Sequence, residues 1–283
     1  MSTLSRDSLP ITLFSTVDMQ SDRDEMLRRM LESVVAFKDR SDADITLFIL
    51  LQRCSDEAAA AFSAHWPEWV KAVHMPGRMS LSAARNKLLA SPQAKARFAR
   101  DGIVAFPDDD CWYPEGTLDR IAADFAADRQ LDFWFSRYGM DAVTASGLPS
   151  TSPSLQTVIS FASSNTIVVR SSIAATIGGF DEALGVGAVL SGGEDTDYAM
   201  RAFRTARKAL YVDARTVGHR DPNKALKAKY YPGSLRAIAK NTGLRPSELK
   251  ALTRKLLVGL TLAIRGQMPL RDYLAAVTNS FAR

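Results

Sequence analysis

Cysteine is scarce in this sequence: the 283 residues contain two, Cys54 and Cys111. Two cysteines cannot form a disulfide framework, and so low a count is typical of a reducing compartment. Long apolar runs are also missing. The longest, Leu256 to Ile264, is interrupted twice and is far shorter than the roughly 18–20 residues that a membrane span needs. Met1 to Pro10 is polar and shows no secretory core, so we expect a cytoplasmic protein.

The charge is distributed unevenly along the chain. The net charge is +5, but residues 201–283 contain 18 basic and 4 acidic residues, while the first 200 contain 18 and 27. A basic C-terminal third fits a solvated surface, which is the commonest explanation, an anionic membrane surface, or nucleic acid. No nucleic-acid-binding motif accompanies the charge, so nucleic acid is not an expected partner.

Short apolar runs alternate with amphipathic segments over the first two thirds of the chain. The predicted strands are Ile11–Val17, Ile45–Leu51, Val70–His74, Ile103–Phe106, Leu131–Arg137, Thr166–Arg170 and Ala209–Val212. The predicted helices are Glu25–Phe37, Asp56–His65, Ser80–Leu89, Pro114–Ala127, Ser171–Ile177 and Glu194–Arg207. Met140–Gln156 is predicted to be a loop, and the chain from Pro222 onward to be helical. This alternation predicts an α/β protein with a Rossmann-like, doubly wound, mainly parallel sheet, in which ligands lie beyond the carboxyl ends of the strands.

Three aspartates follow one predicted strand directly. Pro107 ends the strand because it has no N–H for a sheet ladder, and Asp108, Asp109 and Asp110 come next. Three like charges at a strand end are costly unless a cation lies among them, and a divalent metal that carries a phosphorylated ligand would meet that need. The plainer alternative is a turn and a helix cap, which this triplet alone does not exclude.

A second acidic group begins a predicted helix after several glycines. Glu194 and Asp195 follow Gly193, and carboxylates in a first helical turn are favoured by the helix dipole whatever their function. The glycines, however, would let the backbone approach a ligand, and an ionised carboxylate at this position could accept a proton. His219 follows the last predicted strand and should reach the same edge of the sheet, although a lone histidine is more often a packed residue.

Three separated motifs agree in order and spacing: Ser82-Ala83-Ala84-Arg85-Asn86, Phe106-Pro107-Asp108-Asp109-Asp110, and Gly178-Gly179-Phe180-Asp181-Glu182 leading into Gly192-Gly193-Glu194-Asp195-Thr196-Asp197. Together they resemble the bacterial glycosyltransferase family 2, over roughly Ile11 to His219. The resemblance implies a GT-A fold in a nucleotide-sugar-binding catalytic domain, residues 1–221. The basic remainder, residues 222–283, would be a helical extension.

The resemblance also implies the roles of the acidic residues. Asp108 and Asp110 match the ends of the family's Asp-any-Asp motif, with Asp110 and His219 as ligands of Mn²⁺ or Mg²⁺. Asp195 matches the catalytic base, and Glu194 beside it would bind the acceptor.

Six residues are expected around the nucleotide: Thr16, Asp18, Gln52, Arg85, Asp108 and Asp109. Gln52 departs from the family pattern, which usually has an aspartate there to contact the base. An amide both donates and accepts hydrogen bonds whereas a carboxylate only accepts, so the base need not be uracil. The exit of the first strand also lacks the family's usual Tyr-Asn step.

The expected function is therefore an inverting, metal-dependent glycosyltransferase that moves a sugar from a nucleotide sugar to a hydroxyl of a glycan or lipid-linked acceptor, in bacterial surface polysaccharide or glycoconjugate synthesis. The alternative is a catalytically silent nucleotide-sugar or glycan-binding module on the same fold. A nucleotidyltransferase is disfavoured because Leu13–Asp24 has no glycine-rich phosphate loop. Lys224–Arg283 could place the enzyme peripherally on the inner face of the membrane, or its leucines could simply pack on the domain.

Overall fold

Seven strands form one sheet in the computed structural model of the protein, which describes residues 9–221 and 226–281. In chain order they are β1 (Ile11–Asp18), β2 (Ile45–Gln52), β3 (Val70–Met75), β4 (Ile103–Ala105), β5 (Leu131–Gly139), β6 (Val168–Arg170) and β7 (Lys208–Gly218). The spatial order is β3-β2-β1-β4-β6-β5-β7. Only β6 runs antiparallel to its neighbours within this sheet, so the predicted mainly parallel sheet is confirmed.

Helices cover both faces of the sheet. They are α1 (Asp24–Arg40), α2 (Asp56–Ser63), α3 (Leu81–Leu89), α4 (Pro92–Phe98), α5 (Thr117–Ala127), α6 (Leu155–Phe161), α7 (Ser171–Ile177), α8 (Glu194–Thr205), α9 (Lys227–Lys240), α10 (Pro246–Ile264) and α11 (Leu270–Phe281). Leu13 and Phe14, adjacent on β1, point into different hydrophobic cores, as the period of two in a strand requires. The core around Leu13 includes α1 and α5, and that around Phe14 includes α3, α7 and α8.

The sequence prediction missed two short helices and shortened one strand. Helix α4 was not predicted at all, and α6 begins inside the segment that was predicted to be a loop. Ser154 caps α6 by accepting a hydrogen bond from the N–H of Thr157 at 3.1 Å. A serine cap is a local sign of a helix start, but the segment is so rich in serine and threonine that this cap did not stand out in the sequence. Strand β7 continues beyond the predicted Val212 because an edge strand tolerates polar residues on its solvent side.

The three C-terminal helices pack on the sheet domain and on one another. Met200 of α8 and Ile238 of α9 share one small core, while Tyr231, Leu235 and Leu262 form another between α9 and α10. None of the helices in residues 9–221 and 226–281 is long and apolar enough to cross a bilayer. Residues 222–225 and 282–283 lie outside the described residues, and the division into 1–221 and 222–283 stays a prediction.

Helix α10 buries only some of its apolar side chains. Leu252 and Leu256 pack against the core formed with α9, whereas Leu249, Leu260 and Ile264 are exposed, the last to 77%. Packing on the domain therefore accounts for some of these side chains, and the others face outward.

Candidate active site

The carboxyl ends of β1, β2, β4 and β7 meet at one edge of the sheet. Strand β4 is parallel to β1, and the two antiparallel pairings through β6 turn β5 and β7 into the same direction. A cleft of about 520 Å³ lies at this edge. It is lined by nine of the ten predicted site residues: Thr16, Asp18, Gln52, Asp108, Asp109, Asp110, Glu194, Asp195 and His219. The sequence motifs, far apart in the chain, thus form one site.

A backbone bridge explains why His219 joins the aspartate triplet. The N–H of Trp112 donates to the carbonyl of Gly218 at 3.0 Å, and the N–H of Gly218 donates to the carbonyl of Trp112 at 2.7 Å. A Cβ at Gly218 would lie 1.9 Å from the Trp112 ring, so glycine is required. The bridge brings His219 Nε2 to 3.0 Å from Asp110 Oδ1 and to 3.8 Å from Asp108 Oδ2.

Two arginines that line the cleft compensate the negative charge of Asp109 and Asp110. Arg23 Nη1 lies 2.7 Å from Asp109 Oδ1, and Arg220 Nη1 lies 3.0 Å from Asp110 Oδ2. Burial raises the pKa of Asp109 to about 6, against the opposing effect of Arg23. Burial also acts to raise the pKa of Asp110, but His219 and the two arginines outweigh it and the pKa is lowered. Asp110 is therefore held as a carboxylate.

Three side chains could hold a divalent cation. Asp108, Asp110 and His219 each offer a ligand atom, and these atoms lie within 4.8 Å of one another. Both carboxylate oxygens of Asp110 are buried and have no well-aligned hydrogen-bond donor in the part of the chain that the structure describes. Two carboxylates and an imidazole suit Mn²⁺ or Mg²⁺. These residues fit the predicted metal. The resemblance assigned Asp108 to the nucleotide, but Asp108 lies beside Asp110 and His219, the two predicted metal ligands.

Asp195 lies in the first turn of α8 and is oriented from two sides. Its Oδ2 accepts from the hydroxyl of Ser163 at 3.0 Å, and its Oδ1 accepts from Arg85 Nη1 at 3.4 Å. Arg85 is 2% exposed and also donates to Asp108 Oδ1 at 2.8 Å and to Ser164 Oγ at 2.8 Å. One buried guanidinium thus links the two acidic groups. Arg85 is the predicted site residue that does not itself line the cleft.

The start of α8 is held by a backbone contact with α9. Gly193 has φ 91°, and a Cβ there would lie 2.3 Å from the carbonyl oxygen of Gly233. A side chain at either glycine would force the two segments apart. Glu194, the next residue, is buried, and burial together with the charge of Asp195 raises its pKa to about 7.

Asp18 and Gln52 lie side by side at the other end of the cleft, paired across β1 and β2. Arg53 donates to both carboxylate oxygens of Asp18, at 2.6 and 2.5 Å, from a left-handed backbone at φ 60°, which a residue other than glycine rarely adopts. Gln52 Oε1 accepts from the N–H of Met79 at 2.8 Å. The carbonyl end of the Gln52 amide is therefore engaged, which leaves its NH₂ group for a ligand, and Asp18 is already paired with a cation.

Sequence reasoning missed seven polar residues of this site. Ser21, Arg23, Arg78, Arg220 and Tyr230 line the cleft, and Ser163 and Ser164 contact Asp195 and Arg85. Arg220 could have been found because it follows His219 directly. The others lie in turns or on a helix whose position only the tertiary structure defines.

No protein-family model matches the sequence, and neither does any curated protein. Solved structures do match. Residues 1–349 of TarS from S. aureus, in complex with UDP, match with a TM-score of 0.67 and 17% identity over 95% of this chain and 81% of that one. The mannosyltransferase PcManGT from Pyrobaculum calidifontis, in complex with GDP-Man and Mn²⁺, matches with a TM-score of 0.61 and 15% identity over 96% and 75%.

The fold is GT-A. GalNAc-T7, solved with UDP, GalNAc and Mn²⁺, also shares it, with a TM-score of 0.56 and 13% identity over 82% of this chain and 48% of that one. The chain spans 42% of a longer TarS structure, which it matches with a TM-score of 0.59 and 15% identity over 88% of its own length. At these identities the likeness shows the GT-A fold alone, and the activity has to be argued from the site.

Proposed function

We propose that the protein is an inverting, metal-dependent glycosyltransferase that moves a sugar from a nucleotide sugar to a hydroxyl acceptor, in the synthesis of a bacterial surface polysaccharide or glycoconjugate. The observation that carries the proposal is the position of Asp195 in the same cleft as the cluster of Asp108, Asp110 and His219. A metal-binding group beside a carboxylate base is what this reaction requires, and the GT-A fold of the chain supports it.

Asp108, Asp110 and His219 would hold Mn²⁺ or Mg²⁺. When bound, the cation would supply positive charge for the diphosphate leaving group. Arg220, whose side chain is 62% exposed, borders the same group, as does Arg23, and both guanidinium groups can donate to phosphate oxygens. Preorganised cations of this kind stabilise charge that develops as the bond to the sugar breaks.

Asp195 takes the proton of the acceptor hydroxyl. Ser163 and Arg85 fix its orientation, and it lies in the first turn of α8, where the helix dipole favours negative charge. The deprotonated oxygen attacks the sugar carbon on the face opposite the diphosphate, so one displacement inverts that carbon and no enzyme nucleophile is needed. Glu194 borders the acceptor, and Arg85 acts as a positioning residue between Asp195 and Asp108.

Thr16, Asp18 and Gln52 would bind the nucleoside, because they lie at the end of the cleft that is formed by β1 and β2. Asp109 contributes indirectly by holding Arg23. With its carbonyl engaged by Met79, Gln52 can donate to an acceptor on the base, and because every nucleobase carries acceptors this contact does not select among them.

The test is a panel of nucleotide sugars incubated with the purified protein, with Mn²⁺ or with EDTA. Binding is followed by thermal shift, because a specific ligand raises stability by mass action, and transfer or hydrolysis by release of the nucleoside diphosphate. Metal-dependent release from one donor supports the proposal, and NMR of the product reports inversion. Binding without any release would favour the silent nucleotide-sugar-binding module, and no binding of any donor would contradict both.

We also propose that the helical extension contacts the inner face of an anionic membrane, where a lipid-linked acceptor is presented. Support comes from the exposed Leu249, Leu260 and Ile264 on α10 and from the excess of basic residues after residue 200. A helix of this kind lies in the interface and does not span it. The proposal concerns Lys224–Arg283, of which residues 224–225 and 282–283 lie outside the described residues.

A further inference from the structure

A second cavity, of about 500 Å³, adjoins the active-site cleft between α6, α9 and α10. Tyr230 lines both cavities, and its Cβ lies 3.0 Å from the position that a Cβ on Gly192 would take, so it packs on the loop that leads to Asp195. Tyr138 lines the second cavity and packs edge-on against His219, with 5.0 Å between ring centroids. The cavity therefore opens beside the reacting groups.

The charged side chains that line this cavity are all basic. They are Lys227, Arg254 and Lys255, and neither aspartate nor glutamate lines it. Within residues 9–221 and 226–281, none of the three forms an ion pair. Three cations that line one cavity without a counter-charge repel one another, so an anion that joins them would relieve that repulsion.

Lys255 is the most constrained of the three. Its side chain is partly buried, with Nζ 5.3 Å from the centre of the Tyr231 ring. Tyr231 is itself fixed: its hydroxyl donates to the carbonyl of Lys255 at 3.3 Å, and its ring lies so close to Gly259 that a Cβ there would be 2.1 Å away. Burial lowers the pKa of Lys255 to about 8, and Arg254 and Lys227 add to that effect. Holding an ammonium group in such surroundings is costly unless an anion joins it.

We propose that this cavity is an acceptor subsite that binds a phosphate group carried by the acceptor, with Lys255 as its central ligand and Arg254 and Lys227 around it. The inference rests on the proposed function only in taking the occupant to be the acceptor. Arginine and lysine are the side chains that bind phosphate best. Arginine donates two parallel hydrogen bonds from its guanidinium group, and lysine acts as a point charge. The tyrosine faces of Tyr138 and Tyr230 give a neighbouring sugar apolar surface and hydroxyl partners.

The phosphate could belong to a soluble sugar phosphate or to a polyprenyl diphosphate that carries the glycan. Both present the same charge to Lys255, and they differ in the group attached to it. Three probes separate them in calorimetric titrations in EDTA: N-acetylglucosamine 1-phosphate, farnesyl diphosphate, and neutral N-acetylglucosamine. Tighter binding of N-acetylglucosamine 1-phosphate indicates a soluble sugar phosphate, and tighter binding of farnesyl diphosphate indicates a polyprenyl diphosphate. The neutral sugar should bind most weakly.

The decisive comparison uses Lys255→Met, which keeps an unbranched chain and removes the charge. Lys250→Met is the matched control, since Lys250 is exposed on the same helix. We expect wild type and the control to bind the phosphorylated probes equally, and Lys255→Met to bind them about tenfold or more weakly, as loss of a charge-assisted hydrogen bond predicts. Arg254→Gln, in an exposed side chain, is a second variant that should weaken binding even if the first variant folds poorly.

Thermal unfolding should be equal in all these proteins, which reports that they are folded, and Mn²⁺ titration should show equal binding in the main cleft. If no phosphorylated probe binds wild type, or if both variants bind the probes as wild type does, the subsite proposal is wrong. The proposed function fails separately, when wild type neither binds nor cleaves any nucleotide sugar with Mn²⁺, whatever the phosphate probes do.

Discussion

Replacing Gly218 by alanine should disrupt the active site by breaking the backbone bridge between Gly218 and Trp112. The new Cβ would lie 1.9 Å from the ring of Trp112, so the β7 end and the aspartate loop must separate. Overpacking of this kind costs about 1–3 kcal/mol. The two bridge hydrogen bonds, at 3.0 and 2.7 Å, would weaken or break, at a net cost of about 0.5–1.5 kcal/mol each. We therefore expect Gly218→Ala to lower the free energy of unfolding by about 2–6 kcal/mol.

Chemical denaturation gives the free energy, and thermal unfolding should show a fall in melting temperature of roughly 4–24 °C, given about 2–4 °C per kcal/mol for a chain of this size. Mn²⁺ titration should show weaker binding as well, because the bridge holds His219 next to Asp110. Gly77→Ala is the control, since no atom lies within 4 Å of the added Cβ; it should be neutral or slightly stabilising. If Gly218→Ala unfolds within about 0.5 kcal/mol of wild type, the range of an ordinary surface substitution, and binds Mn²⁺ equally well, the bridge does not position the site.

Three further predictions concern Asp110, Asp195 and the C-terminal helices. Asp110→Ala should remove the metal dependence of nucleotide binding, because the cation loses a buried ligand; calorimetry with and without Mn²⁺ that shows the same dependence as wild type would contradict this. Asp195→Asn should retain fold and donor affinity but lose about 10²–10⁴-fold in turnover, the usual contribution of a general base, and residual transfer above about a tenth of wild type would exclude that role. The protein should sediment with anionic vesicles at low salt and be released at high salt, since each basic residue near the leaflet contributes about 1 kcal/mol; absence from the pellet at low salt, with neutral vesicles as the control, would end the membrane proposal.

The sheet and the acidic groups could be predicted because their signals are local. The apolar runs of β1 and β2 are long, and Pro107 marks where a buried strand stops before Asp108. His219 was predicted to reach the same edge, although the backbone bridge that brings it there joins residues more than 100 positions apart. Such a pairing has no signature in either segment.

The remainder of the site depends on contacts that only the fold defines. Arg85 was predicted to bind nucleotide because it belongs to a motif with Ser82, yet its guanidinium is buried between Asp108 and Asp195. Gln52 was identified as unusual, but which end of its amide faces the cleft depends on the N–H of Met79. Propensity and spacing carry no information about such a bond, because its partners are 27 residues apart.

The contact between Gly193 and Gly233 limits how this protein could be re-engineered. Backbone atoms meet there directly, so a displacement of α9 cannot be absorbed by a change of rotamer and must pass to the turn that carries Asp195. A chimaera that receives the C-terminal helices of another transferase would therefore need a glycine at both crossing points. Grafts that ignore this requirement would lose turnover even when every side chain in the cleft is left unchanged.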